Sequence, residues 1–145
     1  MDRAEHSVEV KHELGLNCCQ AVLLEFAPEI AAVAKDEASE GSNNSNCSDM
    51  KALKERLLAL GSGFGAGMGS MNGTCGALCG AAMVVGLLNK SEIPTTAITR
   101  ELSNAFKAKV GALTCREIKG ADTKQPLCSC DNCVRHAVLL TESVI

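Results

Sequence analysis

The chain has 145 residues, 46% of them hydrophobic, and a formal charge of −3, which suits one compact soluble domain and is short for two. With three Phe and no Trp or Tyr it lacks the usual platforms for stacking bases or sugars, and its mildly acidic balance leaves no electrostatic footprint for nucleic acid. The 21% charged content argues against disorder, and no uninterrupted apolar run reaches the ~20 residues that a membrane span needs.

Apolar residues recur at helical spacing and no stretch alternates like a half-buried strand, so the expected fold is all-α. It is read as a single helical, cysteine-rich bundle over residues 1–145, with about five to seven helices around a Gly/Cys-rich central one. A polar helix is expected from Arg3 to Leu14. Gly15-Leu16-Asn17 interrupts it, and Asn17 can cap a second helix carrying Val22, Leu23 and Phe26. Pro28 fits the first turn of a short helix through Ile30 and Val33. The Ser/Asn/Gly-rich residues 39–48 read as an exposed loop holding Cys47. Ser48 can then cap a helix with Met50, Leu53, Leu57 and Leu60 on one face.

Residues 61–69 carry Gly61, Gly63, Gly65, Gly67 and Gly69 and are too glycine-rich for a stable isolated helix. They lead into Cys75–Leu88, the most apolar stretch and the expected central helix, where Gly76 and Gly80 leave a groove for a close-packed neighbour. Thr95 or Thr96 can cap the next helix, with Ile98, Leu102, Phe106, Val110 and Leu113 as its core face and Cys115 at its end. After a polar loop with Pro126 and Cys128, Asp131 or Asn132 can start a terminal helix carrying Val134, Ala137, Val138 and Leu140.

The glycines at 61–67 satisfy a loose dinucleotide fingerprint, but a helix and not a strand precedes them, and no Gly-Lys-Ser/Thr follows. Glycines also let a backbone approach a cofactor and offer amides to sulfur or oxygen, which makes Gly63, Gly65, Gly67 and Gly76 candidate cofactor-binding positions. His6 and His12 are far from His136 in sequence, and no His-Glu-x-x-His motif is present. His12 reads as a solvated surface residue beside Glu9 and Glu13. His136 follows Cys133 by three residues, a spacing that permits a shared ligand.

The charged start, Met1 to His6, has no apolar stretch behind it and does not read as a secretory signal, so a cytoplasmic location is expected. In a reducing compartment an excess of cysteine points to metal ligation or thiol redox chemistry, and nine cysteines cannot all pair within one chain. Cys75 and Cys79 stand four apart near a helix start, where free amides favour a thiolate; Cys79 among Ala77, Leu78 and Ala81 can equally be a small buried hydrophobe. Cys128-x-Cys130-x-x-Cys133 is a denser cluster, within reach of a disulfide and of shared metal ligation alike. Val134 and not His follows Cys133, so covalent c-type haem attachment is not available.

Asn17-Cys-x-Gln-Ala-Val-Leu23, the alternating glycines leading into Cys75-Gly-Ala-x-x-Gly-Ala-x-Met-x-x-Gly-Leu87, Cys115-Arg-Glu-Ile-x-Gly120 and Cys133-Val134 together resemble the C-GCAxxG-C-C family of redox-active proteins. The resemblance runs from about residue 15 to 140. One departure is that Cys75-Gly76 stands where the family name spells Gly-Cys, a shift of one residue and about 100° on a helix. The family is similar to the iron–sulfur part of split-Soret cytochromes. That similarity implies Cys18, Cys75, Cys115 and Cys133 as ligands of a two-iron cluster, with Cys19, Cys79, Cys128 and Cys130 as substitutes; Cys47, in the polar loop, is read as a bystander.

The expected function is therefore an iron–sulfur protein, or one binding zinc, for electron transfer or redox sensing. Its partners would be an electron donor or acceptor and a second copy of the chain, with no nucleic acid and no membrane. The alternatives are a thiol–disulfide oxidoreductase in which Cys75 or Cys130 attacks and a neighbour resolves, and a non-catalytic scaffold stapled by zinc or disulfides.

Overall fold

A computed structural model describes residues 1–37 and 47–145 of the chain. The described backbone is helical, with no strand; one isolated antiparallel bridge joins Thr74 and Thr114. No helix among the described residues is long and apolar enough to cross a membrane.

Helix α1 (Arg3–Leu14) starts where the Asp2 carboxylate accepts from the Glu5 amide and stops at Gly15, whose φ of 65° only glycine takes at little cost. Helix α2 (Cys18–Glu25) begins with a full capping box: the Asn17 side chain accepts from the Gln20 amide, and the Gln20 side chain accepts from the Asn17 amide. Helix α3 (Ala27–Glu37) carries Pro28 in its first turn, as expected. Helix α4 (Cys47–Gly61) is already under way at Ser48, which therefore does not cap it. The loop expected over 39–48 otherwise lies outside the described residues, as does the side chain of Cys47.

Within α4, Leu57 is buried but Leu60 is 54% exposed, contrary to the expected shared face. The helix presents Leu57 and Gly61, four residues apart, to α2; a Cβ on Gly61 would stand 3.1 Å from Leu23 Cδ1, and Leu60 is turned ~100° away. A 3₁₀ turn at Ser62–Phe64 and an irregular turn, α5 (Gly65–Met68), follow. The central helix α6 (Gly76–Leu88) then packs most extensively on α2. The groove expected there is real: a Cβ on Gly80 would come within 2.9 Å of the Cys19 carbonyl oxygen, and one on Gly76 within 3.2 Å of the Cys19 amide nitrogen.

Helix α7 (Thr95–Val110) has Pro94 at its cap position, which offers no side-chain acceptor, so neither Thr95 nor Thr96 caps it; the Thr95 hydroxyl instead accepts from the Asn89 side-chain amide at 3.0 Å. Leu102, Phe106 and Val110 form its buried face, while Leu113 lies beyond its end. Helix α8 (Cys115–Lys119) is capped by Thr114, and α9 (Cys130–Glu142) by Ser129, two residues before the expected Asp131 and three before Asn132. Asp131 is engaged elsewhere, accepting from Lys11 at 2.9 Å and pairing with His12 at 2.8 Å.

The core lies between α2, α6 and α9, with α1, α4 and α7 around them. Phe26 and Phe106 are fully buried among Val22, Leu23, Val84, Val85, Val134 and Val138. Burying each such side chain contributes about 1.5–3 kcal/mol. Small residues at the α2–α6 crossing let this core close without further aromatic bulk.

A candidate thiol pocket at converging helix starts

Cys18, Cys115 and Cys130 are the first residues of α2, α8 and α9, Cys75 is the residue that caps α6, and Cys133 lies one turn into α9. All five line one cavity of about 30 Å³. Four helix starts therefore surround it, each bringing free amides and the positive end of a helix dipole to the thiols.

Local sequence explains the arrangement. Asn17, Thr114 and Ser129 each precede a pocket cysteine and each accepts a hydrogen bond from an amide of the helix that follows. Cys75 follows Thr74 in the same way but is itself the turn residue. Its amide donates to the Leu113 carbonyl at 2.7 Å, while the Cys115 amide donates to the Gly73 carbonyl at 3.0 Å. This short clasp joins the two Thr-Cys dipeptides side by side. Because Cys75 stands before the first helical residue, the one-residue shift relative to the family motif is not a 100° rotation on a helix.

The remaining wall is apolar apart from one charge: Phe64, Ala66, Gly67, Gly76 and Ile118 close it, and Lys119 stands at it. Gly67 is required, since its φ is 58° and a Cβ there would lie 2.5 Å from Cys115 Cβ. Of the other glycines singled out by sequence, Gly76 lines the cavity, Gly65 faces Asn17, and a Cβ on Gly63 would meet nothing within 4 Å.

The thiols shift one another's acidity in two pairs. Cys133 donates to Cys75, which brings Cys75 down to about 7 against the opposing effect of burial, with the Ala77 and Leu78 amides adding to the stabilisation. Cys18 donates to Cys130, which brings Cys130 down to about 6, again against burial, with Lys119 and Lys11 helping. The donors Cys18 and Cys133 are pushed up because their protons are held in those bonds and by burial. Burial raises Cys115, with Lys119 opposing.

The other described cysteines, Cys19, Cys79 and Cys128, stand outside the cavity wall. Cys19, next in α2, is fully buried, pushed up to about 12 by burial, and its Sγ lies 4.0 Å from Met83 Sδ. The Cys79 thiol donates to the Thr74 carbonyl at 3.8 Å. Cys128 reaches Cys133 without lining the cavity. His136 does not line it either, and His6 pairs with Glu25 at 2.8 Å. Among the described residues no three His, Cys, Asp or Glu side chains meet at the spacing of a single metal ion.

Sequence reasoning placed Cys130 among the substitute ligands and as a candidate attacking thiol, and missed Phe64, Ala66, Ile118 and Lys119. The signal for Cys130 was present in the dipeptides Asn17-Cys18, Thr74-Cys75, Thr114-Cys115 and Ser129-Cys130, each a capping residue type followed by cysteine.

No curated protein and no solved structure matches the chain. Over residues 39–144, a span that includes Cys75, Cys115, Cys130 and Cys133 and leaves out Cys18, it matches the family described as "Putative redox-active protein (C_GCAxxG_C_C)", and it belongs to that family.

Proposed function

We propose that the pocket binds a two-iron, two-sulfide cluster through Cys18, Cys75, Cys115 and Cys133, with Cys130 as a fifth thiol within reach, and that the protein serves electron transfer or redox sensing. The observation that supports this reading is the convergence of five thiols from four chain segments on one small, largely apolar cavity. The donor set suits the group. A two-iron cluster takes four thiolates, two on each iron, and the cavity wall offers five thiols. When bound, the cluster would supply a one-electron carrier.

The chain's own residues would set its environment. The Ala77 and Leu78 amides point at Cys75, Lys119 brings positive charge to the wall, and Phe64 and Ile118 keep water out. Amide hydrogen bonds and a dry surround are the protein's usual means of tuning a cluster's potential. Anaerobic loading with iron and sulfide tests the proposal. The expected result is a brown protein absorbing beyond 400 nm with about two irons per chain, as four cysteine ligands require. A colourless, iron-free chain overturns it. With no Trp or Tyr, the protein barely absorbs near 280 nm, so colour is easily assigned to bound iron.

A second reading, a thiol–disulfide oxidoreductase, is favoured by the two acidic thiols, each hydrogen-bonded to a neighbour that could resolve a mixed disulfide. It requires a partner's disulfide to reach the attacking sulfur. Burial of Cys75 and Cys133 works against this for one pair.

A further inference from the structure

Five thiols line a cavity where a cluster needs four, and they differ in access. Cys75, Cys115 and Cys133 are buried, at 7%, 7% and 1% exposure, whereas Cys18 and Cys130 are partly open. The two open thiols line the same cavity, and the Cys18 thiol donates to the Cys130 carbonyl oxygen at 3.9 Å, which sets the two residues side by side. They sit on different helices, so a bond between them would join α2 to α9 across the cavity rim.

We infer that Cys18 and Cys130 form a reversible disulfide that blocks cluster loading, which makes this pair an oxidation site governing the pocket. The inference rests on the cluster reading above. The bond takes Cys18 out of the proposed set and leaves Cys75, Cys115 and Cys133, one thiol short.

Hydrogen peroxide is the oxidant proposed. The Cys130 thiolate attacks one peroxide oxygen, the O–O bond breaks, and hydroxide leaves, which takes up a proton to become water; Cys130 is then a sulfenic acid. The Cys18 sulfur attacks the Cys130 sulfur, the S–S bond forms, the S–O bond breaks, and the departing hydroxide takes the Cys18 proton as a second water. Two thiols lose two electrons in total, and the peroxide gains them. A dithiol such as dithiothreitol reverses the bond by exchange.

The test uses the full, reduced, iron-free chain treated with hydrogen peroxide. Peptide mass mapping should find residues 18 and 130 in one linked peptide, and the oxidised chain should then take up at least tenfold less iron than the reduced chain, with uptake restored by dithiothreitol. The Cys130→Ser variant should load iron to the same extent before and after mild peroxide treatment. A disulfide mapped to Cys75–Cys133 or to Cys128 instead, or equal iron uptake by oxidised and reduced chains, overturns the inference. If the reduced chain takes up no iron while the Cys18–Cys130 peptide is found, the cluster reading has failed and the regulatory role falls with it. If the reduced chain loads and the linked peptide is absent, the cluster reading stands and this inference alone fails.

Discussion

Thr74 and Thr114 form an antiparallel bridge, the one place where the described chain pairs backbone outside its helices in strand fashion, and it fixes Cys75 beside Cys115. The two threonines are not equivalent. Thr114 also caps α8, accepting from the Glu117 amide and donating to the Glu117 carboxylate at 2.9 Å, whereas Thr74 contributes only its backbone to the clasp.

Thr114→Ala should therefore lower stability by about 1 kcal/mol, the usual cost of a lost cap, and Thr74→Ala should change it by less than about 0.5 kcal/mol. Urea unfolding of the two variants under reducing conditions measures both. Equal effects would show that the hydroxyl at 114 does no more than the one at 74.

The four glycines that sequence grouped together should separate on substitution. Gly67→Ala combines a left-handed backbone with a Cβ driven to 2.5 Å from Cys115 Cβ, and strain plus overpacking of this kind costs about 2–4 kcal/mol. Gly63→Ala meets open space and should stay within about 0.5 kcal/mol of the parent. Thermal or urea unfolding ranks them. A neutral Gly67→Ala would mean that the turn beside Cys115 can relax without disturbing the pocket.

Much of this architecture was legible because helices announce their ends. Asn17 and Gln20 spell a capping box, Gly15 terminates α1, and the apolar run after Cys75 admits no other assignment than a buried helix. What was not legible depends on tertiary contacts. The spacing of Met50, Leu53, Leu57 and Leu60 does not reveal that α4 turns Leu57 and Gly61 toward α2. Likewise Cys19 and Cys18 are equal by spacing, and only the α2–α6 crossing, with Gly76 and Gly80 against Cys19, sends one to the core and the other to the cavity. For Cys75 and Cys79 the four-residue spacing is kept in the backbone, the Cys79 amide donating to the Cys75 carbonyl at 3.1 Å, yet only Cys75, the cap residue, lines the cavity.

Reactivity should single out Cys130. Alkylation by iodoacetamide follows the thiolate fraction and access, and Cys130 combines an acidity near 6 with partial exposure. Its labelling rate, followed by peptide mass spectrometry, should be half-maximal near pH 6 and level above about pH 7. Cys79, raised by burial, should label more slowly at neutral pH and keep accelerating into the alkaline range. Replacing Cys18 by Ala removes the donor that acidifies Cys130, so the Cys130 midpoint should move upward. A midpoint at the ordinary value near 9.0 would remove the hydrogen-bonded pair from the account.

The same thiols predict how stability varies with pH. Cys130 and Cys75 ionise near 6 and 7 in the folded chain, below the ordinary value of 9.0 that applies when it is unfolded. Between these values the unfolded chain binds more protons than the folded one, so stability rises with pH toward 9 and is lost as pH falls through 7 and then 6. Cys18 and Cys133 act in the opposite sense. Their folded values lie above the ordinary one, so what they contribute is fully present below about pH 9 and is lost as pH climbs beyond it. The reduced, iron-free chain should thus be most stable near pH 9, with both limbs falling. Urea midpoints at intervals between pH 5.5 and 10.5, taken anaerobically with a non-thiol reductant, trace the curve. Cys130→Ser should confine the acid limb to the region around pH 7 set by Cys75, and an acid limb unchanged by that substitution would show that Cys130 is not ionised early in the folded chain.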